Sequence, residues 1–334
     1  MDRSTLLDHF VAQSTAMVEV LRGVDRYARA HTPVVLAGAT GTGKTTVAEL
    51  IHTWSGRPGP LSPYTAGEFD RHLEQSQLFG HERGAFTGAV DRHCGALEQA
   101  ADGTLLLDDF HHLRRSTQTL LLRVLDRGFF RRLGGSRDLP LRCRVLIGLV
   151  ELPDRLVEQG ALLRELRYRL GYSLIRLPLL AERREDIPQL AGQFIGRCPE
   201  ATGEHGPDRF APDVIALLQA ATWPGNLRQL EMVVRDAYLR ARGSDVVHLA
   251  HVVQQVHLPA RFERRGSFAA NAGAVRLALE VTQGNVGHAA QLLRTSRTTI
   301  YHYLAAQRCG IQAPPVSSWP HAGRERDTPS AAAG

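Results

Sequence analysis

An apolar run that ends in a glycine-rich loop constrains the fold of this chain more than any other feature. Residues 33–37 read Pro-Val-Val-Leu-Ala, and the loop Gly38-Ala-Thr-Gly-Thr-Gly-Lys-Thr45 follows at once. A helical pattern then opens at Gly43-Lys44. Glycines at this spacing let backbone N–H groups approach phosphate oxygens, while the lysine adds a charge and the threonine a hydroxyl that can bind Mg²⁺. The order strand, loop, helix predicts an ATP site at Gly38, Ala39, Thr40, Gly41, Thr42, Gly43, Lys44, Thr45 and Thr46.

Further apolar runs at residues 104–107, 144–150 and 173–177 alternate with helical patterns. Buried strands alternating with helices are typical of a doubly wound α/β fold, with a parallel sheet and helices on both faces. Asp108 and Asp109 follow the run at 104–107. We expect Asp108 to be a second ligand of Mg²⁺ and Asp109 to be the carboxylate that activates water. The alternative is that this pair of acids only caps the next helix.

The composition limits the class of protein and its partners. The chain has 334 residues, 43% of them hydrophobic, and a formal net charge of +6, with Arg supplying almost all of its cations. Because Arg binds phosphate groups in two-point contacts, this charge favours a nucleotide or nucleic acid as partner; ordinary surface charge is the alternative. The chain has neither a leader pattern nor 18 consecutive apolar residues. The four cysteines lie far apart, at Cys94, Cys143, Cys198 and Cys309. We therefore expect neither a zinc site nor a disulfide framework. We expect a cytoplasmic protein that does not span a membrane.

A second glycine-rich segment lies about 40 residues after the phosphate loop. It reads Gly80-His-Glu-Arg-Gly-Ala-Phe-Thr-Gly-Ala89 and presents Phe86 and Thr87 on a turn. An ordinary core has no use for such a turn, which indicates a loop that touches a partner. A solvated hairpin tip is the alternative. The candidate contact residues are Gly84, Ala85, Phe86, Thr87, Gly88 and Ala89.

The carboxyl-terminal part contains a helix-turn-helix pattern at residues 284–304. Ser296 can cap the second helix, which would direct polar side chains towards a groove of double-stranded DNA. Arg294 and Arg297 would contact phosphates. A helical hairpin that binds nothing is the alternative. The candidate DNA-binding residues are Arg294, Ser296, Arg297, Thr298, Thr299 and His302, with Ile300, Tyr301 and Leu304 packing behind them.

Several of these motifs together resemble those of a known family. Residues from about 11 to 240 resemble the AAA+ domain of bacterial enhancer-binding proteins, which activate sigma-54 RNA polymerase, and residues 274–308 resemble the family's Fis-type DNA-binding domain. The motifs that carry the resemblance are Phe79–Ala89, Gly103–Asp109, Leu122–Leu125, Leu177–Ile187 and Trp223–Leu230.

The resemblance implies a function and several residue roles. It implies that Phe86 and Thr87 engage sigma-54 and that ATP hydrolysis drives this loop to open the promoter complex. Arg228 matches the sensor II arginine of the family, and Arg169 matches an arginine finger that acts on a neighbouring subunit. The resemblance therefore also implies a ring, usually a hexamer.

The chain departs from the family pattern around the water that attacks ATP. Asp109 replaces the usual Glu, Thr65 aligns with an Asn, and Leu149-Val150 replace the usual Thr-Asn. Leu163 replaces the first arginine finger, although Arg164 is adjacent and can substitute. We expect ATP to be bound and hydrolysed slowly or not at all. Two alternatives stay open: a DNA-binding regulator with a vestigial ATPase fold, and a co-subunit of a mixed ring.

We expect six segments along the chain. With about ten residues before the ATPase domain, we expect no regulatory domain there, and we expect control by a regulatory protein in trans, by the level of synthesis or by nucleotide binding. The predicted segments are a short amino-terminal piece at 1–10, the α/β ATPase part at 11–180, a helical lid at 181–256, a linker at 257–273, the helix-turn-helix domain at 274–308 and a disordered tail at 309–334.

Overall fold

The computed structural model describes residues 10–70, 72–170, 173–202, 206–258 and 268–309. The chain divides into two compact units. The first runs to residue 205 and includes Trp223–Asp236, and the second consists of Gly206–Thr222 and the chain from Ala237 onwards. The sequence placed the lid at 181–256 as one segment, whereas this division assigns its helices to both units.

The first unit is built on a parallel sheet of five strands. The spatial order is β2-β3-β6-β1-β7, and every neighbouring pair is parallel. This confirms the predicted doubly wound α/β fold, although β2 was not predicted from the sequence. A two-residue antiparallel pair, β4 with β5, forms a separate hairpin. The strands are β1 Val34–Ala37, β2 Leu61–Thr65, β3 Thr104–Asp108, β4 Phe129–Phe130, β5 Leu139–Pro140, β6 Arg144–Leu149 and β7 Leu174–Arg176.

Helices cover both faces of this sheet. Apolar residues recur at helical spacing over residues 6–30 and predict a helix there, but the observed helix begins only at Thr15, because Ser14 caps it and residues 10–13 are not helical. The α-helices wholly in this unit are α1 Thr15–Ala28, α2 Lys44–Ser55, α3 Glu74–Phe79, α4 Ala96–Gln99, α5 Arg115–Arg127, α6 Pro153–Glu158, α7 Arg164–Leu170 and α8 Ile187–Thr202; α10 Asn226–Arg240 begins in it and continues into the second unit. Short 3₁₀ helices lie at Ala66–Glu68, Phe110–His112, Leu180–Glu182 and Arg184–Asp186.

The core lies on the two faces of the central strands. One cluster packs Leu105, Leu107 and Ile147 against the helices of one face, and the other packs Leu36, Leu106 and Leu146 against α1 and α2 on the other face. Consecutive residues of a strand point to opposite faces, so a strand covered on both sides has a continuous apolar sequence. This is why the uninterrupted runs in the sequence predicted β1, β3 and β6.

Arg144 is a charged residue inside this core. Its side chain is 1% exposed, and its guanidinium donates to the carbonyls of Tyr27 and Ala28 at the carboxyl end of α1. Burial lowers the pKa of Arg144 to about 10. The carbonyls that end a helix lack partners within the helix, so a buried cation can satisfy them.

The second unit is mainly helical. A two-residue parallel pair joins β8 Arg209–Phe210 to β9 Val246–Val247. The predicted linker at 257–273 was wrong at its end, because residues 268–273 are helical; residues 259–267 lie outside the described residues. The predicted tail lies outside them too, apart from Cys309, which ends a helix. The remaining helices are α9 Pro212–Ala220, α11 Leu249–Val252, α12 Phe268–Val281, α13 Val286–Leu292 and α14 Arg297–Cys309.

Candidate functional site: a phosphate loop and a glycine-flanked turn

The loop between β1 and α2 has the geometry that its glycines predict. Gly41 and Gly43 have φ values of +77° and +103°, a region that residues with a Cβ rarely adopt. Lys44 is buried, and its Nζ donates to the carbonyl of Gly38 at 3.1 Å. Thr45 and Thr46 are exposed in the first turn of α2. The loop therefore leads into the amino end of a 12-residue helix, where backbone N–H groups and the helix dipole favour an anion.

The predicted acids lie at the carboxyl end of β3, beside this loop. Asp108 Oδ1 is 3.6 Å from Lys44 Nζ. A Cβ added to Gly148 of β6 would lie 2.1 Å from the same oxygen, so the Asp108 carboxylate sits directly over a strand position that has no side chain. Asp109 has a left-handed backbone, with φ +50°, and its N–H donates to Asp108 Oδ1 at 2.9 Å. The structure thus brings together Lys44 and Asp108, two of the residues that the sequence predicted for the nucleotide and its metal.

The positions expected to guide a water molecule offer little polar chemistry. Thr65 pairs in register with Asp108 across β2 and β3, so it lies at the end of the strand next to the acids. Leu149 is fully buried at the end of β6. Neither position carries the amide that the family resemblance implies.

Asn226 ties the start of α10 to the phosphate loop, and sequence reasoning had singled out only Arg228 in this motif. Asn226 is 1% exposed; its Nδ2 donates to the carbonyl of Thr40 at 3.0 Å, and its Oδ1 accepts from the N–H of Leu180 at 2.9 Å. The N–H of Leu227 donates to the carbonyl of Gly41 at 2.9 Å. Arg228 is exposed one residue further on. The Asn side chain therefore fixes the helix that carries Arg228.

Arg183 is a second residue that sequence reasoning missed. It is 2% exposed, and its Nη2 donates to the carbonyl of Thr42 at 2.7 Å. Burial lowers the pKa of Arg183, and the nearby Asp186 opposes that shift. Asp186 is fully buried; it accepts from the N–H groups of Gln13 and Ser14 and from the Ser14 hydroxyl, each at 2.8 Å. These contacts hold the segment before α1 against the 3₁₀ helix Arg184–Asp186. Arg183, directly before that helix, contacts the phosphate loop.

A cavity of about 200 Å³ opens beside the phosphate loop. It mixes apolar side chains with two arginines and one carboxyl group, and burial raises the pKa of that carboxyl, Glu49. Its wall includes residues of the loop, of α2 and of the segment before α1. The lining residues are Phe10, Val11, Met17, Thr42, Gly43, Thr46, Val47, Glu49, Arg183, Leu190, Gln193, Phe194, Arg197 and Leu227.

The two predicted finger arginines lie on α7. Arg164 is exposed at its first residue. Arg169 contacts its own subunit: its Nη2 donates to the carbonyl of Leu125 at 2.7 Å, and its Nε lies 3.0 Å from Asp126 Oδ1. Leu163 packs against the core. Arg169 would therefore have to leave a contact of its own chain to reach a neighbouring subunit.

The turn at residues 84–89 projects from a braced stem. The N–H of Gly84 donates to the carbonyl of Ala89 at 2.8 Å, and Phe86 and Thr87 are exposed. The Phe86 ring meets the ring of His81 edge-on, with centroids 5.0 Å apart. A Cβ on Gly134 would lie 2.8 Å from that of Ala85, so glycine allows the loop after β4 to approach the turn.

Arg132 braces the base of this turn and was not predicted from the sequence. It is only 10% exposed in its side chain; its Nη1 donates to Glu82 at 2.6 Å and its Nε to Glu98 at 2.6 Å. The hydrogen bonds to Glu98 and Glu82 raise the pKa of Arg132 above its ordinary value. The stem of the turn is thus held by one cation between two carboxylates, from segments far apart in the chain.

In the second unit, α13 and α14 are joined by a short turn. Ser296 caps α14 as predicted, because its Oγ accepts from the N–H of Thr299 at 3.1 Å. The DNA-binding candidates Arg294, Ser296, Arg297, Thr298 and His302 are exposed, and Thr299 is half-buried.

Two packing details of this segment were not predicted. Tyr301, which we expected to pack behind the candidates, is 59% exposed, while Ile300 and Tyr303 are buried. Arg294 Nη2 lies 3.1 Å from His257 Nε2.

Taken together, the parallel sheet, the phosphate loop and the acids at the end of β3 define a P-loop protein of the AAA+ type. Comparison with known proteins gives the family. The model described as the Sigma-54 interaction domain matches residues 10–176, and the AAA+ ATPase lid domain matches residues 181–268. The chain belongs to the family of sigma-54-dependent transcriptional activators.

The most similar relatives include transcriptional regulators and their structures. The transcriptional regulatory protein GlrR of Escherichia coli (strain K12) is 35% identical over 303 residues, which cover 88% of this chain and 67% of GlrR. NtrC of Rhizobium meliloti (strain 1021), a DNA-binding transcriptional regulator, is 37% identical over 228 residues, which cover 67% of this chain and 46% of NtrC. The crystal structure of NtrX from Brucella abortus in complex with ATP has a TM-score of 0.70 at 28% identity, covering 90% of this chain and 70% of that one. The chain thus spans only part of each relative.

No helix among the described residues is both long and apolar enough to span a membrane.

Proposed function

We propose that this chain is an ATP-dependent transcriptional regulator that binds upstream DNA and remodels the closed complex of sigma-54 RNA polymerase through the Gly84–Ala89 turn. The exposed turn carries this proposal. Phe86 and Thr87 lie at its tip, and its stem is braced by Arg132. An exposed aromatic residue on a braced turn suits contact with a partner protein.

The phosphate loop supports ATP as the ligand. Lys44 supplies charge to the phosphates, the backbone of residues 38–46 surrounds them, and Arg228 reaches the nucleotide from α10. The neighbouring cavity accepts the nucleoside, because its wall combines apolar residues with a few polar ones. The relative NtrX has been crystallised with ADP and with ATP, which agrees with this assignment.

The residues beside the loop fit Mg²⁺. Thr45 and Asp108 offer a hydroxyl and a carboxylate, the oxygen ligands that this ion prefers. No group of three or more His, Cys, Asp or Glu side chains among the described residues could hold a metal by itself. Mg²⁺ in phosphoryl-transfer sites needs only one or two protein ligands beside the substrate, so Thr45 and Asp108 would suffice to hold it. The ion would then neutralise charge on the transferred phosphoryl group.

Hydrolysis is proposed to be slow and to depend on assembly of the chain into a ring, which we propose to be a hexamer. Asp109 is the shorter acid at the water-activating position, and Thr65 and Leu149 bring no amide to it. In a ring, Arg169 would exchange its own Asp126 for the nucleotide of the neighbouring subunit, with Arg164 close by. A finger arginine stabilises the charge that develops during phosphoryl transfer.

The second unit is proposed to bind double-stranded DNA. Arg294 and Arg297 would contact phosphates, and Thr298, Thr299 and His302 would face the bases of the groove. Such a protein acts in the bacterial cytoplasm, and a regulatory protein in trans could set its activity.

The second candidate function is a DNA-binding regulator, or a co-subunit of a mixed ring, that binds ATP with little or no hydrolysis. The observation that favours it is the loss of polar groups around the water position. The groups that hold the nucleotide, Lys44 and Asp108, are in place, whereas Leu149 is a buried apolar residue where a polar one is expected.

Steady-state ATP hydrolysis against protein concentration, together with ATP affinity, separates these candidates. The variants are wild type and Lys44→Ala, with Met232→Ala, at an exposed site, as the control. Turnover that rises steeply with concentration and disappears in Lys44→Ala supports a working ring. Tight ATP binding without turnover at any concentration supports the second candidate.

Promoter opening tests the turn itself. Phe86→Ala should keep ATP affinity and turnover and lose open-complex formation by sigma-54 RNA polymerase. Open complexes at the wild-type level in this variant would refute the role of the turn.

A further inference from the structure

His111 lies just beyond the carboxyl end of β3, after the two acids, and the motifs in the sequence assign it no role. It is the middle residue of the 3₁₀ helix Phe110–His112, which follows Asp109 directly. The carboxyl ends of parallel strands form the edge at which phosphoryl groups bind in this fold. His111 therefore stands three residues after Asp108 on the side of the sheet where the phosphate loop lies.

The ring of His111 has an unused polar atom. It packs on the ring of His112, with centroids 4.2 Å apart, and is half-buried. Its Nδ1 is buried and has no hydrogen-bond partner among the described residues. Buried polar atoms in folded proteins are nearly always paired, so this unpaired nitrogen means that the described part of the chain gives the imidazole no structural hydrogen bond through Nδ1.

The charges of the ATP site act on this ring. Burial lowers the pKa of His111 most, and the charge of His112 lowers it further. Lys44 lowers the pKa as well, while Asp109 and Asp108 raise it. The net shift is downwards, which favours the neutral imidazole. Because Nδ1 is closed to water, Nε2 is the ring nitrogen whose lone pair can accept a hydrogen bond from water.

The site needs such an acceptor. The water that attacks the γ-phosphorus must be oriented by a hydrogen-bond acceptor. The side chain of Asp109 is one methylene shorter than that of Glu, and Leu149 and Thr65 carry no amide. A displacement of about 1 Å at this point is enough to lower a rate on the order of 100-fold.

We propose that His111 accepts a hydrogen bond from the attacking water and so takes over part of the task that the short Asp109 cannot perform. The inference rests on the proposed hydrolysis of ATP and names a further catalytic residue for it. The water oxygen forms a bond to the γ-phosphorus as the bond from that phosphorus to the β,γ-bridging oxygen breaks. ADP leaves with the electron pair of the broken bond, the water proton passes to the imidazole and then to solvent, and inorganic phosphate is the other product.

The test uses the full chain under single-turnover conditions, with protein in excess over ATP, so that slow hydrolysis is still measurable. His111→Ala should lower the hydrolysis rate by at least about tenfold, since a positioned base contributes on the order of 100-fold or more. ATP affinity, measured with a fluorescent ATP analogue, should change less than about twofold. Met232→Ala, at the exposed site on α10, is the control and should keep the wild-type rate.

A double-mutant cycle of His111 and Asp109 adds a measurement that a purely structural role of His111 would not affect. Asp109→Glu should raise the rate, and in that background His111→Ala should cost much less than in wild type, because a full-length carboxylate no longer needs the imidazole. His111→Asn, which retains a short polar acceptor, should recover part of the rate lost in His111→Ala.

The outcomes separate the two proposals. If wild type hydrolyses ATP and His111→Ala matches it, the role of His111 is refuted while the ATPase stands. A loss in His111→Ala that is equal in both backgrounds, or that accompanies a matching loss of ATP affinity or of thermal stability, also refutes it. If wild type shows no single-turnover hydrolysis at any protein concentration, the proposed ATPase fails and this inference fails with it.

Discussion

Replacing Asn226 should lower the free energy of unfolding through two separable terms, the lost hydrogen bonds and the strain of a left-handed backbone. It should also weaken ATP binding. The side chain makes two hydrogen bonds to backbone groups, and its backbone has φ +50°. Without the side chain, the N–H of Leu180 loses its acceptor, at about 1–3 kcal/mol, and the carbonyl of Thr40 loses a donor, at about 1 kcal/mol. Asn226→Gly should therefore lower the free energy of unfolding by about 2–4 kcal/mol while tolerating the left-handed backbone.

Asn226→Ala should cost about 1 kcal/mol more than Asn226→Gly. A Cβ in the left-handed region costs about 1–2 kcal/mol, part of which is offset because alanine restricts the unfolded chain more than glycine does. The difference between the two variants thus isolates the backbone term from the hydrogen bonds.

Urea unfolding, compared at equal m-values, measures both variants, and Met232→Ala on the exposed face of α10 is the control. ATP affinity should fall in both variants, because the bond to Thr40 fixes the phosphate loop. A loss below about 0.5 kcal/mol in Asn226→Gly would refute the hydrogen-bond argument. Asn226→Ala as stable as Asn226→Gly would refute the backbone argument.

Further outcomes are expected at three residues. Asp186→Ala should lower the free energy of unfolding by about 3–5 kcal/mol in urea melts, since three donors lose a buried acceptor, and a loss below about 1 kcal/mol would contradict this. Arg132→Met should lower the free energy of unfolding by about 2–3 kcal/mol and abolish promoter opening while ATP affinity is kept. Open complexes at the wild-type level would contradict the role of Arg132 in bracing the turn. Burial raises the pKa of Cys143 to about 12, so its thiol should resist a thiol reagent at pH 8 that labels the more accessible Cys94. The stability gained from keeping this thiol protonated is complete below about pH 9 and should be lost as the pH rises towards 12, which melts at increasing pH would detect.

Much of the fold could be predicted because its signals are local. The apolar runs of β1, β3 and β6 are continuous since both faces of these strands are covered. Strand β2, in contrast, was missed because Leu61–Thr65 is only partly buried and contains Pro63. The start of α1 was placed too early because Phe10 and Val11 continue its apolar pattern, whereas Asp186 binds the backbone just before the helix.

The exposed segments were harder to predict in detail. In α14 the periodicity alone put Tyr301 in the packed face, but Tyr303 is the buried tyrosine. One helical turn contains several apolar or aromatic residues there, and only packing against the other helices decides which of them is buried.

The candidate site divides in the same way. The phosphate loop, the acids at the end of β3 and the turn at residues 84–89 are contiguous stretches, so residue type and spacing were enough to predict them as candidate sites. Tertiary structure alone decided the supports. Asn226 reaches Thr40 across 186 positions, and Arg183 reaches Thr42 across 141.

Such contacts leave no periodic trace, because each is one polar residue whose partner is a backbone carbonyl that every residue possesses. The same holds for His111. Its place in the sequence shows only a histidine near two acids, while the fold buries its Nδ1 beside the ATP site and leaves it without a partner. Local chemistry can be read along the chain, but burial and long-range pairing exist only once the chain has folded.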